Sequence, residues 1–228
     1  MGEMVEFPSN GTTGSGYLAT PEQGAGIGLI VIQEWWGLVG HIKDVCDRFA
    51  AEGFTALAPD LYRGETVSEP DEAGKKMMAL NLGQAARDLG GAVDHLLAID
   101  AVRGDGVGVT GFCMGGGLAL VLATQRPDAV KACVPFYGVI PWPEAQPDWS
   151  ALAAPVQGHF AEQDAFFTPE KVAELESTLR DLGKDAELLV YPGVDHAFFN
   201  DERPEVYDEA AAGTAWIRTL EFLRANLG

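Results

Sequence analysis

Six residues, "GFCMGG" (Gly111–Gly116), constrain this chain more than any other stretch. They join an apolar run, "GVGVT", to "GLALVLATQ", which reads as a helix. Gly111-Phe112-Cys113-Met114-Gly115 has the pattern G-x-C-x-G, the thiol version of the G-x-S-x-G turn that holds a nucleophile between a strand and a helix. Such a turn forces its central residue into an unfavourable backbone region, which persists only if the neighbours are small. Gly111, Gly115 and Gly116 lack the Cβ that would clash there. The dipole of the helix that follows points at the sulfur and favours thiolate over thiol. The competing reading is a buried cysteine among glycines that serve helix packing, and context has to decide between them.

The context is an alternation of strands and helices. "GIGLIVIQEWWG" (Gly26–Gly37) is a continuous apolar run typical of a strand buried on both faces. A helix, "HIKDVCDRFAAEG", follows and stops at Gly53, and "FTALAPDLY" is the next strand. Residues 64 to 83 read as a loop with a short helix. "GQAARDLGGAVDHLLAI" carries Leu89, Val93, Leu96 and Leu97 at core spacing for a helix. After the Cys113 turn come strands in "AVKACVPFYG", "APVQGHFAEQD" and "AELLVYPG". Helices are expected over Pro169–Leu182 and Glu205–Asn226. This order predicts an α/β fold, with a mostly parallel central sheet flanked by helices on both faces. "GYLATP" is expected on a small antiparallel edge, and "VIPWPEAQPDWSALAAP" in a surface loop. With no linker, repeat or low-complexity segment, residues 1–228 read as one domain.

Composition narrows the setting. No apolar run reaches the ~18 residues of a membrane helix, and "MGEMVEFPSNG" lacks the basic start and apolar core of a signal peptide. Three cysteines suggest free thiols in a reducing compartment, hence the cytoplasm. Thirty-four acidic against 15 basic residues leave a net charge of −19, a surface that repels nucleic acid and anionic lipid. The four histidines, at 41, 95, 159 and 196, show no metal-ligand spacing, and no G-x-G-x-x-G opens the first helix. No metal or cofactor is expected. The expected state is a monomer or small homo-oligomer acting on a small molecule.

A nucleophile turn needs an acid and then a histidine, in that chain order. After Cys113 the histidines are His159, inside a strand, and His196, in a loop after the last strand. His196 is the candidate base. Asp164 ends "GHFAEQD" and is the candidate acid, ahead of Asp195, whose side chain should point away from its neighbour His196. An oxyanion hole needs two backbone N–H groups, expected from Met114 and from Trp35 in "QEWWG". Glu34 would then stand beside the sulfur. Cys46 and Cys133 read as small apolar core residues. Trp36, Tyr137 and Phe198 fall near strand ends and are candidates for the pocket wall.

"QEWWG", "APDLY", "GFCMGG", "AEQD" and "DHAFFND", in this order and spacing, resemble the dienelactone hydrolase family of α/β-hydrolases, also called carboxymethylenebutenolidases. The resemblance runs from about Phe7 to Leu227. It implies the α/β-hydrolase fold and a Cys113–His196–Asp164 triad that opens lactones or cleaves small esters through an acyl-thioester. It also implies that Glu34 contacts the resting thiol and helps to activate it when substrate arrives. Family members acting on dienelactone hold the substrate carboxylate with arginines, one of them four residues past the histidine, where this chain has Asn200, which becomes the candidate substrate contact at that place. The nearby cations are Arg63, Lys75, Lys76 and Arg203. An amide binds a carboxylate more weakly than a bidentate guanidinium, which points to a neutral lactone or ester. Two other readings stay open: a promiscuous carboxylesterase or thioesterase with the same triad, and a non-catalytic ligand-binding member of the fold.

Overall fold

The computed structural model describes residues 2–9, 11–138 and 140–228. Its strands are β1 (Glu3–Ser9), β2 (Thr12–Ala19), β3 (Gly26–Ile32), β4 (Phe54–Pro59), β5 (Val102–Phe112), β6 (Val130–Phe136), β7 (Val156–Ala161) and β8 (Ala186–Tyr191). They form one eight-stranded sheet in the order β1-β2-β4-β3-β5-β6-β7-β8. The β1–β2 and β2–β4 pairs are antiparallel, and all later pairs are parallel. The "GYLATP" edge is thus β2, paired on its outer side with β1, a strand not anticipated from the sequence.

The helices are α1 (Gly40–Ala51), α2 (Pro70–Met78), α3 (Leu82–Ala98), α4 (Met114–Gln125), α5 (Pro169–Asp181) and α6 (Glu209–Leu227). Two glycines of β5 show why both faces of the sheet are covered. A Cβ on Gly108 would meet Leu223 and Leu227 of α6, whereas one on Gly111 would strike the backbone of Gly115 in α4. An odd separation along a strand puts these positions on opposite faces. Between the layers, Leu29–Ile32 of β3 are wholly buried, as the continuous apolar run requires. Helix α4 is apolar all round because it is buried from Met114 to Thr124.

Three expectations need correction. β3 ends at Ile32, so Glu34–Gly37 form a turn in which Gly37 N–H donates to Glu34 O at 3.3 Å. Helix α6 starts at Glu209, where Asp208 caps it by accepting from Ala211 N–H at 2.8 Å. The proline-rich "surface loop" is anchored: Trp142 is buried and donates Nε1–H to Met77 O at 3.2 Å. Among the described residues, no helix is long and apolar enough to cross a membrane.

At Gly115 the layers come into close contact, because a Cβ there would strike the carbonyl oxygens of Ile32 and Gln33. Gly115→Ala is expected to lower the unfolding free energy by about 1–3 kcal/mol, measured by urea denaturation. Unchanged stability would show that β3 and α4 can move apart at no cost.

Candidate active site

Strand β5 delivers the chain into a turn at Cys113, whose φ of 55° and ψ of −118° lie outside the favoured regions for a residue with a side chain. Cys113 N–H donates to Phe136 O at 3.0 Å, and its carbonyl accepts from Gly116 and Gly117 N–H. These bonds hold the strained residue in place. The first N–H groups of α4, beginning with Met114, have no carbonyl within the helix to pair with. Their positive end faces the Cys113 position.

Asp164 follows β7 and is buried. Its Oδ1 accepts from Phe166 N–H at 2.7 Å and Phe167 N–H at 3.0 Å. Its Oδ2 accepts from His196 Nδ1–H at 2.6 Å. The carboxylate therefore fixes both ring orientation and tautomer, leaving Nε2 for the other side. Cys113 lines the same cleft as His196 and acts on the ring electrostatically. Burial works against a charged ring here. The bond to Asp164 and the neighbouring Cys113 outweigh it and raise the His196 pKa from 6.5 to about 10. Phe166 packs edge-on to the imidazole from the solvent side, with centroids 5.2 Å apart. Asp195 is exposed at the rim of the cleft.

Glu34 is brought to the same cleft by the turn after β3 and is 1% exposed. Its Oε2 accepts from Asn200 Nδ2–H at 2.8 Å. Burial pushes its pKa up, while His41, His196, Asn200 and Arg203 pull the other way. His159 behaves differently. It is fully buried, with its nitrogens 3.0 Å from Tyr191 Oη and 3.1 Å from Thr219 Oγ1, and burial drives its pKa down to about 3. That is a neutral core histidine, apart from the cleft. Cys46 and Cys133 are wholly buried, and their thiol pKa values are raised by desolvation.

The cleft over these groups has a volume of about 410 Å³. Cys113, His196, Glu34, Trp35 and Trp36 line it, as expected from the sequence. Three other expectations do not fit. Phe198 is 0% exposed and packs against Tyr137 and Tyr191, so it belongs to the core and not to the pocket wall. Tyr137 is equally buried and packs against His196 without lining the cleft. Asn200 holds Glu34 with its amide nitrogen, and its Oδ1 accepts from Glu202 N–H at 3.1 Å, so the amide is engaged within the protein. Sequence reasoning missed Pro70 and Met77 of α2, and also Phe166 and Val206, which complete an apolar wall. The aromatic pair right after Asp164 was the available signal for Phe166.

The nearby cations sort by position. Arg63 pairs with buried Asp88, and Lys76 pairs with Glu65. Arg203 lines the cleft, its guanidinium 5.9 Å from the Trp36 ring and paired with Glu205 at 2.8 Å.

The strand order, and the chain order of cysteine, aspartate and histidine at the sheet's carboxyl edge, are those of an α/β-hydrolase fold. Residues 15–227 match the dienelactone hydrolase family, and the chain belongs to it. A protein of Aquifex pyrophilus named usf is 41% identical, over 100% of both chains. A protein of Aquifex aeolicus provisionally named a carboxymethylenebutenolidase is 38% identical, also over 100% of both. A crystal structure from Klebsiella pneumoniae, provisionally titled a dienelactone hydrolase, superposes with a TM-score of 0.89 at 31% identity, covering 98% of each chain. The protein is a hydrolase of the class that acts on esters and lactones.

Because His196 is easier to protonate in the fold than in the unfolded chain, its pairing stabilises the fold fully below pH 6.5. That contribution is lost as pH rises through about 10. Asp164→Asn is expected to bring the His196 titration, followed by NMR of the imidazole, down from about 10 toward 6.5. The loss of thermal stability over that pH window should shrink with it. A titration that stays in place would remove Asp164 from the account of the ring.

Proposed function

We propose that this hydrolase opens lactones or cleaves small carboxylic esters by nucleophilic catalysis at Cys113, with His196 as base and Asp164 as its orienting acid. The observation that carries the reading is His196, held by Asp164 at 2.6 Å on one nitrogen and sharing with Cys113 the floor of an apolar cleft. The sulfur, its proton passed to His196 Nε2 or to Glu34, attacks the carbonyl carbon. The carbonyl oxygen becomes an oxyanion received by the N–H groups of Trp35 and Met114, each worth on the order of 100-fold in rate. Collapse breaks the ester C–O bond, the departing oxygen takes up the proton, and an acyl-thioester remains on Cys113. In a lactone the departing oxygen stays tethered, so the ring opens. His196 then takes a proton from water, which attacks the thioester carbonyl and returns the free thiol and a carboxylic acid. Three free cysteines fit action in the cytoplasm.

Within this chemistry, a neutral substrate is favoured over a carboxylate-bearing dienelactone. The Asn200 amide is turned onto Glu34, so Arg203 has no second cation opposite it among the described lining residues. Trp35, Trp36, Pro70, Met77, Phe166 and Val206 instead offer apolar contact. That selection describes a carboxylesterase or thioesterase of broad scope.

Cys113→Ala is expected to lower turnover of p-nitrophenyl acetate by on the order of 1,000-fold or more. Intact-protein mass spectrometry after brief exposure to esters and lactones should show one acyl group on the wild type and none on the variant. Comparing p-nitrophenyl acetate with a dienelactone separates the two substrate readings. Full activity in the variant would end the proposal.

A further inference from the structure

Tyr137 stands just after β6, directly against the imidazole of His196, with ring centroids 4.9 Å apart. Its φ of 38° is in the left-handed region, where a residue with a bulky side chain is strained. Tyr137 N–H donates to His159 O at 2.7 Å and fixes that conformation. The side chain is 0% exposed, and no protein group among the described residues accepts from its hydroxyl. Strain and an orphaned buried hydroxyl at one residue are two separate costs. Phenylalanine would fill the same space with the same backbone but without the second cost, so core packing does not explain the hydroxyl.

The surroundings supply an explanation. The charged and titratable groups around Tyr137 are Glu34, Cys113, Arg203 and Asp164, with the His196 ring packed against it. Glu34 has one oxygen engaged by Asn200. We propose that Tyr137 is a positioning residue for the nucleophile, its hydroxyl turning toward whichever of the Cys113 sulfur and the Glu34 carboxylate carries negative charge as the thiol proton is handed over. The proton moves from Cys113 Sγ to Glu34 or to His196 Nε2, and Tyr137 keeps its own. Burial, reinforced by the negative charge of Glu34 and Cys113, raises the phenol pKa well above its ordinary value, so the group remains a donor throughout. A donor already in place and shielded from water stabilises such charge more strongly than one in solvent.

The inference rests on Cys113 as the nucleophile, and its test uses a readout that needs no ester. Tyr137→Phe and wild type are alkylated with iodoacetamide across a range of pH. Cys113 is 8% exposed and Cys46 and Cys133 are 0%, so the reaction reports Cys113. The variant's rate profile should move to higher pH, with a fall of about 10-fold at neutral pH, one pKa unit's worth. The acylation burst with p-nitrophenyl acetate should slow in parallel, deacylation should not change, and Tm should hold or rise. Glu34→Gln combined with Tyr137→Phe should lose less than the sum of the two single effects. Superimposable alkylation profiles would overturn the proposal. So would a Tm drop of more than about 5 °C, which would show the hydroxyl bonded in the resting fold. A shifted profile in a protein that hydrolyses no ester would sink the catalytic reading and leave the role of Tyr137 in setting the thiol's charge.

Discussion

The architecture around the site depends on one close approach. Cys113 keeps its strained backbone only because Gly111 and Gly115 meet without side chains, and because Gly115 lies against the carbonyls of β3. The strain is offset by burying α4 on nearly all sides and by the backbone bonds from Cys113 to Phe136, Gly116 and Gly117. Every other participant is placed relative to that fixed sulfur. β3 brings Glu34 from one side, and β7 and β8 bring Asp164 and His196 from the other. The parallel sheet puts all of these strand ends on one edge, so residues far apart in sequence share one cleft.

Much of this was legible in the residues. Long apolar runs such as Gly26–Ile32 announce strands buried on both faces, and glycines crowded round Cys113 announce the turn. The Asp164–His196 pairing follows from chain order and from the position of each residue just past a strand. What could not be read was which way side chains turn. Phe198 sits one residue from Ala197, whose φ of 68° redirects the chain, and that turn sends the ring into the core. No local pattern reports it. Asn200 was misread for a related reason. Its partner, Glu34, is 166 residues away, and only the folded sheet shows that the amide is engaged. β1 escaped notice because its face alternates weakly, with Phe7 and Ser9 buried and Glu3 and Met4 exposed.

Electrostatically, the site gathers opposing groups in little water. Glu34 is buried, which disfavours its charge, while His196 is favoured as a cation by Asp164 and Cys113. Such pairs hold their charge states only relative to one another. The Asn200 bond to Glu34 and the two backbone N–H bonds to Asp164 limit how far either carboxylate can wander.

The bond from Trp142 to the carbonyl of Met77 ties the connection after β6 to the end of α2, the helix that carries Pro70 and Met77 over the cleft. The two segments are fastened as a bracket. The indole thus fixes Met77, and with it one wall of the chamber, from a residue that does not itself line the cleft.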